Sequence, residues 1–333
     1  MTRLAVVCCG LLLALAPMRC AQADESSLKT RRVHLTYAAE VRDVPRDAKE
    51  VRLWLPFPPS DESQQVSNIT VHSDVPASVS REEEYGNQVL SLAVSNPGQS
   101  PVRVELQFDV VRRERRNAAA VFRSPLPKPS TEKPESRWLA RDRLVPIDGK
   151  VFELALSVTR NQSSRLDQIR AIYDHTVSTL SYDKTGTGWG RGDIAYACDA
   201  KRGNCTDFHA VFIGLCRARG IPARFEIGVS LPIDKPAGEI AGYHCWADCH
   251  VADYGWIPVD CSEAQKHPEQ REYFFGSHDE NRIDFSVGRD LRLNPAQQGE
   301  RLNFFIDPYA EVDGQPHDKI ERKITYENRE DRR

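Results

Sequence analysis

The stretch Gly203-Asn204-Cys205-Thr206-Asp207-Phe208-His209 opens the segment that decides the fold. Apolar residues then recur at helical spacing until Gly220 and Pro222, so the sequence predicts a helix that begins at or next to Cys205. Unsatisfied backbone N–H groups and the helix dipole at that position favour a thiolate over a thiol. The same N–H groups can stabilise an oxyanion on an attacked carbonyl. Cys205 is therefore the candidate nucleophile.

A hairpin is predicted downstream, with strands over residues 243–251 and 256–260. His244 on the first strand can act as the general base for Cys205, and Asp260 can hold its imidazole in the useful tautomer. Residues that oppose each other directly share a face of the sheet. A four-residue turn would put Asp260 on the face away from His244. We therefore predict a three-residue turn with a bulge at Gly255, or a five-residue turn.

The abundance of cysteine and histidine in this region leaves further interpretations open. A three-residue turn would place Cys245 opposite Cys261, which makes them the best disulfide candidate. His209 is interpreted as a polar residue on the helix face, with proton shuttling as the alternative. A zinc site is a third alternative, although no Cys-x2-Cys pair occurs, and we predict no metal and no cofactor. The residues considered for zinc are Cys198, Cys205, Cys245, Cys249, His209, His244 and His250.

Taken in order, these motifs resemble the transglutaminase-like core domain of many bacterial exported proteins. The resemblance covers roughly residues 165–265 and rests on residues 203–208, 217–224, 244–248 and 255–260. It implies a Cys-His-Asp triad of Cys205, His244 and Asp260. It also implies an α+β papain/transglutaminase-like core, in which a helix with an N-terminal Cys packs on an antiparallel sheet. Trp189, in the glycine-rich loop 185–193, is a candidate auxiliary donor to the oxyanion, as a tryptophan is in some relatives.

The predicted function is a thiol-dependent amide or peptide hydrolase, or an acyl transferase, that works through a thioester. Water is the default acceptor, and the substrate is expected to be a protein or peptide, including cell-wall peptide. The alternative is a catalytically inactive module that retains the fold and binds peptide or cell-wall material. Neither the acyl donor, the acceptor nor the oligomeric state follows from any motif in the sequence.

Ahead of this core, residues 24–114 alternate apolar and polar residues in short runs, which predicts an all-β sandwich-like domain. A run of arginines over residues 112–116 and several prolines after it predict an extended, solvated linker over residues 115–145. The core domain is predicted over residues 146–325, with a charged tail over residues 326–333.

The N-terminal residues 1–23 have the pattern of a secretory signal peptide, with a basic start, a short apolar run and a small-x-small site at residues 21–23. An exported protein, periplasmic or secreted, is therefore expected. Cleavage would remove three of the nine cysteines. The formal net charge of −3 argues against a nucleic-acid-binding surface, and no membrane span is predicted in the mature chain.

Overall fold

The computed structural model describes residues 28–121, 123–126 and 134–330. The predicted signal peptide lies outside the described residues, as does the proline-containing stretch 127–133 of the predicted linker.

The N-terminal part of the chain is built from antiparallel strands, as the alternating pattern predicts. Buried and more exposed residues alternate along the first and last of these strands, so one face of each packs on the core. The strand over residues 77–81 was not predicted, because its sequence is short and mostly polar. The strands are β1 (Thr30–Val41), β2 (Glu50–Phe57), β3 (Gln64–Ser73), β4 (Ala77–Arg81), β5 (Gln88–Ser95) and β6 (Val102–Arg113).

Helices dominate the next part of the chain and surround a small antiparallel sheet. The helices are α1 (Ala118–Val121), α2 (Gly149–Thr159), α3 (Arg165–Thr179), α4 (Ile194–Ala200), α5 (Cys205–Ala218) and α6 (Cys261–Lys266), with 3₁₀ turns at Ser136–Leu139 and Pro268–Gln270. The strands between them are β7 (Arg115–Arg116), β8 (Ser181–Tyr182), β9 (Arg202–Gly203), β10 (Ala223–Ser230), β11 (Ala237–Glu239), β12 (His244–Val251), β13 (Gly255–Val259), β14 (Ser277–His278) and β15 (Arg282–Val287).

Helix α5 is the centre of this part of the molecule. All of its residues from Cys205 to Arg217 are buried, because it contacts four other helices and the sheet strand β12. The sheet has the order β13-β12-β10-β15 and all its neighbouring strands are antiparallel. This is the α+β core that the sequence predicts, with the cysteine at the N-terminus of the helix.

The end of the chain returns to the N-terminal strands as β16 (Tyr309–Val312), β17 (Gln315–His317) and β18 (Ile320–Asn328). Strand β18 pairs with β1, and β16 pairs with β2. The result is two five-stranded sheets, β11-β18-β1-β6-β3 and β17-β16-β2-β5-β4. The prediction of a core domain over residues 146–325 and a tail over 326–333 therefore needs correction. Strand β18 was not predicted, because the charged residues on its outer face made this segment resemble a solvated tail. Its Ile324 and Tyr326 are buried.

The predicted linker is also more ordered than expected. Arg112 is fully buried and pairs with Asp284 at the start of β15, and Arg115 reaches two buried carboxylates of the small sheet. The arginine run is thus not a solvated face, because Arg112 and Arg115 pair with buried acids of the small sheet. Buried apolar residues of both parts form one continuous core. No helix in the described ranges has the length and apolar character needed to cross a membrane.

Close packing between β10 and β15 makes Gly228 a position where we expect a large loss of stability. A Cβ there would lie 1.8 Å from the backbone oxygen of Ile283. Gly228→Ala must push the strands apart, and we expect the free energy of unfolding to fall by roughly 2–4 kcal/mol. Gly242→Ala is the control, because a Cβ at Gly242 meets no atom within 4 Å. If Gly228→Ala and Gly242→Ala have equal urea midpoints, the close packing at Gly228 does not contribute to the free energy of unfolding.

Candidate active site

Cys205 is the first residue of α5, where its backbone N–H has no intrahelical acceptor. The preceding Asn204 caps the helix through a hydrogen bond of 2.9 Å from the Thr206 N–H to its Oδ1. Asp207 completes a capping box by accepting the Asn204 N–H at 3.0 Å. The stretch Asn-Cys-Thr-Asp therefore fixes the helix start and holds Cys205, which is only 1% exposed, in a defined place.

The glycine-rich loop before α4 is tied to the same helix start. Asp207, which is fully buried, accepts the backbone N–H groups of Gly190 at 2.6 Å and Gly192 at 3.0 Å. Burial raises the pKa of this carboxyl, although three backbone donors oppose the shift. A Cβ at Gly203 would lie 2.3 Å from the Asp207 Oδ2, so only glycine leaves room for the carboxylate there. These hydrogen bonds hold the glycine-rich loop against the N-terminal turn of α5, which also carries Cys205.

The hairpin of β12 and β13 brings His244 and Asp260 together. Val251 pairs with Gly255, which has a φ of 71°, so the turn has three residues, as one of the two predicted geometries requires. Asp260, directly after β13, lies on the side of the sheet that carries His244 and Trp246. The His244 Nε2 is 2.7 Å from the Asp260 Oδ2.

His244 and Cys205 are neighbours, and each shifts the pKa of the other. Because the Nε2 is bonded to Asp260, the Nδ1 is the ring nitrogen left for the thiol. Hydrogen bonds from Cys245 and from His244, together with the imidazole charge, lower the pKa of Cys205 well below its usual value despite burial. Burial alone would lower the pKa of His244, but the Asp260 carboxylate and the Cys205 sulfur raise it to about 10. These opposite pKa shifts favour a thiolate–imidazolium pair at neutral pH.

Asp260 is held by groups that the sequence analysis did not identify. Its Oδ1 accepts the backbone N–H groups of Ser262 at 3.0 Å and Glu263 at 2.8 Å, so it also caps α6. Arg282, at the start of β15, pairs with its Oδ2. Burial would raise the pKa of Asp260, but Arg282 and His244 keep it well below the usual range. No sequence signal marks Arg282, because it lies 22 residues further along the chain and belongs to no motif.

His209 joins the helix start to the Asp260 corner. Its Nδ1 donates to the backbone oxygen of Cys205 at 2.8 Å, and its Nε2 accepts the Cys261 N–H at 3.2 Å. The ring is fully buried, and burial lowers its pKa, which keeps it neutral. The interpretation as a polar residue on the helix face is therefore wrong. The buried imidazole links α5 to the segment that follows Asp260, because both of its ring nitrogens form hydrogen bonds inside the core.

Trp189 lies in the glycine-rich loop and is half-buried. Its indole N–H donates to the backbone oxygen of Gly186 at 3.1 Å. This hydrogen bond closes a turn within the loop. The auxiliary role remains a prediction, and it would require this N–H to leave Gly186.

All six cysteines in the described part of the chain are free thiols. The predicted disulfide between Cys245 and Cys261 is not formed. The imidazole of His209 lies between them, with its Nδ1 3.7 Å from the Cys245 sulfur and its Nε2 bonded to the Cys261 backbone.

Two groups of metal-ligating residue types occur among the described residues, and neither contains a cysteine. Glu226, Asp248 and His278 form the first group, and His244, Asp260 and Glu263 form the second. The acids already have cationic partners. Arg115 and Arg224 pair with the carboxylates of the first group, and Arg282 and Lys266 pair with those of the second. Neither group contains the cysteines that were considered for zinc.

A helix with an N-terminal cysteine, packed on an antiparallel sheet whose strands position a histidine and an aspartate, defines the papain/transglutaminase-like class of thiol-enzyme folds. Residues 153–261 match the model of the transglutaminase-like superfamily, so the chain contains a transglutaminase-like core. This confirms the resemblance drawn from the sequence.

Similar proteins support the same fold. An uncharacterized protein of Haemophilus influenzae is 27% identical over 316 residues, which cover 84% of this chain and 86% of that protein. The uncharacterized protein YebA of Bacillus subtilis is 23% identical over 178 residues, which cover 46% of this chain and 24% of YebA. The crystal structure of a "Putative Cysteine Protease" from Cytophaga hutchinsonii aligns with a TM-score of 0.58 at 14% identity, over 91% of this chain and 99% of that one. The chain thus shares its fold with a solved structure.

Proposed function

We propose that this protein is a thiol-dependent hydrolase or acyl transferase of amides and peptides, with Cys205 as nucleophile, His244 as acid and base, and Asp260 as the residue that orients His244. One observation carries the proposal. The His244 Nε2 lies 2.7 Å from the Asp260 Oδ2, and the same imidazole is close enough to the Cys205 sulfur to help to lower the pKa of Cys205. The fold supports it, since this core is that of a class of thiol enzymes.

In the proposed reaction, the Cys205 thiolate attacks the carbonyl carbon of an amide. The oxygen takes up the negative charge near the N-terminus of α5, where the Cys205 N–H has no helical acceptor. The His244 imidazolium then gives its proton to the leaving amine, and a thioester remains on Cys205. Neutral His244 next takes a proton from water or from an acceptor amine, which attacks the thioester. The acid or the new amide leaves, and the thiolate is restored.

Tyr243 and the glycine-rich loop both bond to residues at the start of α5, and we propose that they form walls of the site. The Tyr243 hydroxyl is 3.1 Å from both the Asn204 Nδ2 and the Thr206 Oγ1. Burial and then the Cys205 charge raise the pKa of Tyr243 and Tyr182. With Cys205 only 1% exposed, a substrate must displace part of this wall to reach it. We also propose that the protein is exported, on the sequence pattern of its first 23 residues.

The pH dependence of alkylation tests the state of the nucleophile. An ordinary thiol reacts with iodoacetamide about 100-fold more slowly at pH 6 than at pH 8, because its thiolate fraction falls. For Cys205 we expect the rates at pH 6 and pH 8 to agree within about threefold, because its pKa is lowered by Cys245 and His244. The site of labelling is read by peptide mass spectrometry.

Cys216→Ala is the control for this measurement, since it removes a buried thiol of the same helix whose pKa is raised by burial. It should leave the labelling profile unchanged, whereas Cys205→Ser should remove the label. A Cys205 rate that rises tenfold per pH unit from pH 6 to pH 8 would overturn the proposal.

A further inference from the structure

Cys245 follows His244 on β12 and lies directly against the nucleophile. Its thiol and its backbone N–H are close enough to the Cys205 sulfur to help to lower the pKa of Cys205. Its sulfur lies 3.9 Å from the Thr206 Oγ1 and 3.7 Å from the His209 Nδ1, and both residues lie within the first five residues of α5. The mechanism above assigns no step to this second thiol.

The two cysteines are held on rigid elements. Cys205 is fixed by the capped start of α5, and Cys245 by the pairing of β12 with β10 at Ile227. The two sulfurs are near enough for each to shift the pKa of the other, and a disulfide requires them to approach to an S–S bond length of about 2.05 Å. The ring of His209 separates Cys245 from Cys261, so Cys205 is the thiol that Cys245 can reach.

We propose that Cys205 and Cys245 form a redox pair, in which a hydroperoxide oxidises Cys205 and Cys245 then closes a reversible disulfide onto it. The inference rests on the proposed function in one respect, namely that Cys205 is a thiolate. The pair would protect the nucleophile from irreversible oxidation and would switch the enzyme off until a dithiol reduces it.

The first step is attack of the Cys205 thiolate on the peroxide O–O bond. It forms a sulfenic acid and releases hydroxide or alkoxide, so the sulfur loses two electrons and the peroxide gains them. In the second step the Cys245 sulfur attacks the sulfenic sulfur, the S–S bond forms, and the hydroxyl leaves with the Cys245 proton as water. A dithiol reductant returns both thiols and becomes a disulfide itself.

The environment sets the order of these steps. Burial, followed by the neighbouring Cys205 sulfur, raises the pKa of Cys245, so Cys245 stays protonated while Cys205 is a thiolate. The thiolate is the form that reacts with a peroxide. Once Cys205 is a neutral sulfenic acid, its negative charge no longer opposes ionisation of Cys245.

The experiment treats the full-length protein with hydrogen peroxide and maps the products by non-reducing peptide mass spectrometry. We expect a linked pair of peptides that contain Cys205 and Cys245, lighter than the two free peptides by two hydrogen atoms. Dithiothreitol should then restore iodoacetamide labelling of Cys205. In Cys245→Ala and Cys245→Ser we expect sulfinic and sulfonic acid at Cys205 instead, and recovery at least about fivefold lower at an equal extent of oxidation.

Cys249→Ala is the matched control, because Cys249 is a buried thiol on the same face of the same strand and donates to the Ile257 oxygen instead. It should form the linked peptides and recover like the unmodified protein. Wild-type Cys205 that ends as sulfinic acid without linkage to Cys245 would overturn the inference, and so would a disulfide that joins Cys245 to another cysteine. The proposed function fails by a different result, an ordinary pH profile of alkylation, so the two failures are distinguishable.

Discussion

Turnover of a peptide aminocoumarin amide by the Cys205→Ser variant is expected to fall by at least about 10⁴-fold. The serine hydroxyl is close in size to the thiol, so the capped start of α5 and its contacts should remain. A hydroxyl does not ionise at neutral pH, however, and His244 then has no thiolate partner. The loss therefore reports the missing nucleophile rather than a disturbed fold.

A thermal unfolding scan of the same preparation checks that the variant is folded. Cys198→Ala is a useful companion, because Cys198 is the half-exposed thiol in the described part of the chain and lies on α4 rather than at the proposed site. It should retain full turnover. If Cys205→Ser keeps more than about a tenth of the activity, another residue is the nucleophile.

Asp260→Asn is expected to lower the turnover number by about 10²- to 10⁴-fold. Asparagine keeps the size of the side chain and remains a good N-cap for α6. Its amide cannot stabilise the imidazolium of His244, so the pKa of His244, raised to about 10 chiefly by this carboxylate acting against burial, should fall. The plateau of Cys205 alkylation at low pH should then disappear, which a purely structural role of Asp260 would not cause.

Asp279→Asn is the control for this variant. Asp279 is the other acid beside Arg282, 3.1 Å from the Arg282 Nε, and no contact joins it to His244. Asp279→Asn is expected to lower the free energy of unfolding by about as much as Asp260→Asn does. Either variant leaves the buried Arg282 guanidinium with one acid fewer. Equal losses of turnover in the two variants would show that Asp260 acts only through Arg282 and stability.

Local sequence patterns were sufficient to predict the helix start and the hairpin. Cys205 at the start of α5 follows from the capping residues and the apolar spacing, which depend only on near neighbours. Face parity required a three- or five-residue turn if His244 and Asp260 were to share a face of the sheet, and the turn has three residues.

Features that depend on distant pairing could not be predicted. Arg282 reaches Asp260 through the register of β15, and the charged end of the chain becomes β18 only because β1 offers a partner. The disulfide prediction failed for the same reason, since it used strand register but could not include the ring of His209 that enters from α5. The burial of Arg112 likewise needs Asp284, which lies 172 residues away.

The covalent intermediate tests the central claim most directly. The protein is mixed with an activated ester, 4-nitrophenyl acetate, quenched in acid and analysed by intact and peptide mass spectrometry. We predict one acetyl group per chain, attached to Cys205 and removed by hydroxylamine as a thioester is, with no adduct in Cys205→Ser. On dilution into buffer with or without a primary amine, the acetyl group should pass to water or to the amine. An acetyl group that is found on another residue, or that forms equally in Cys205→Ser, would contradict the account.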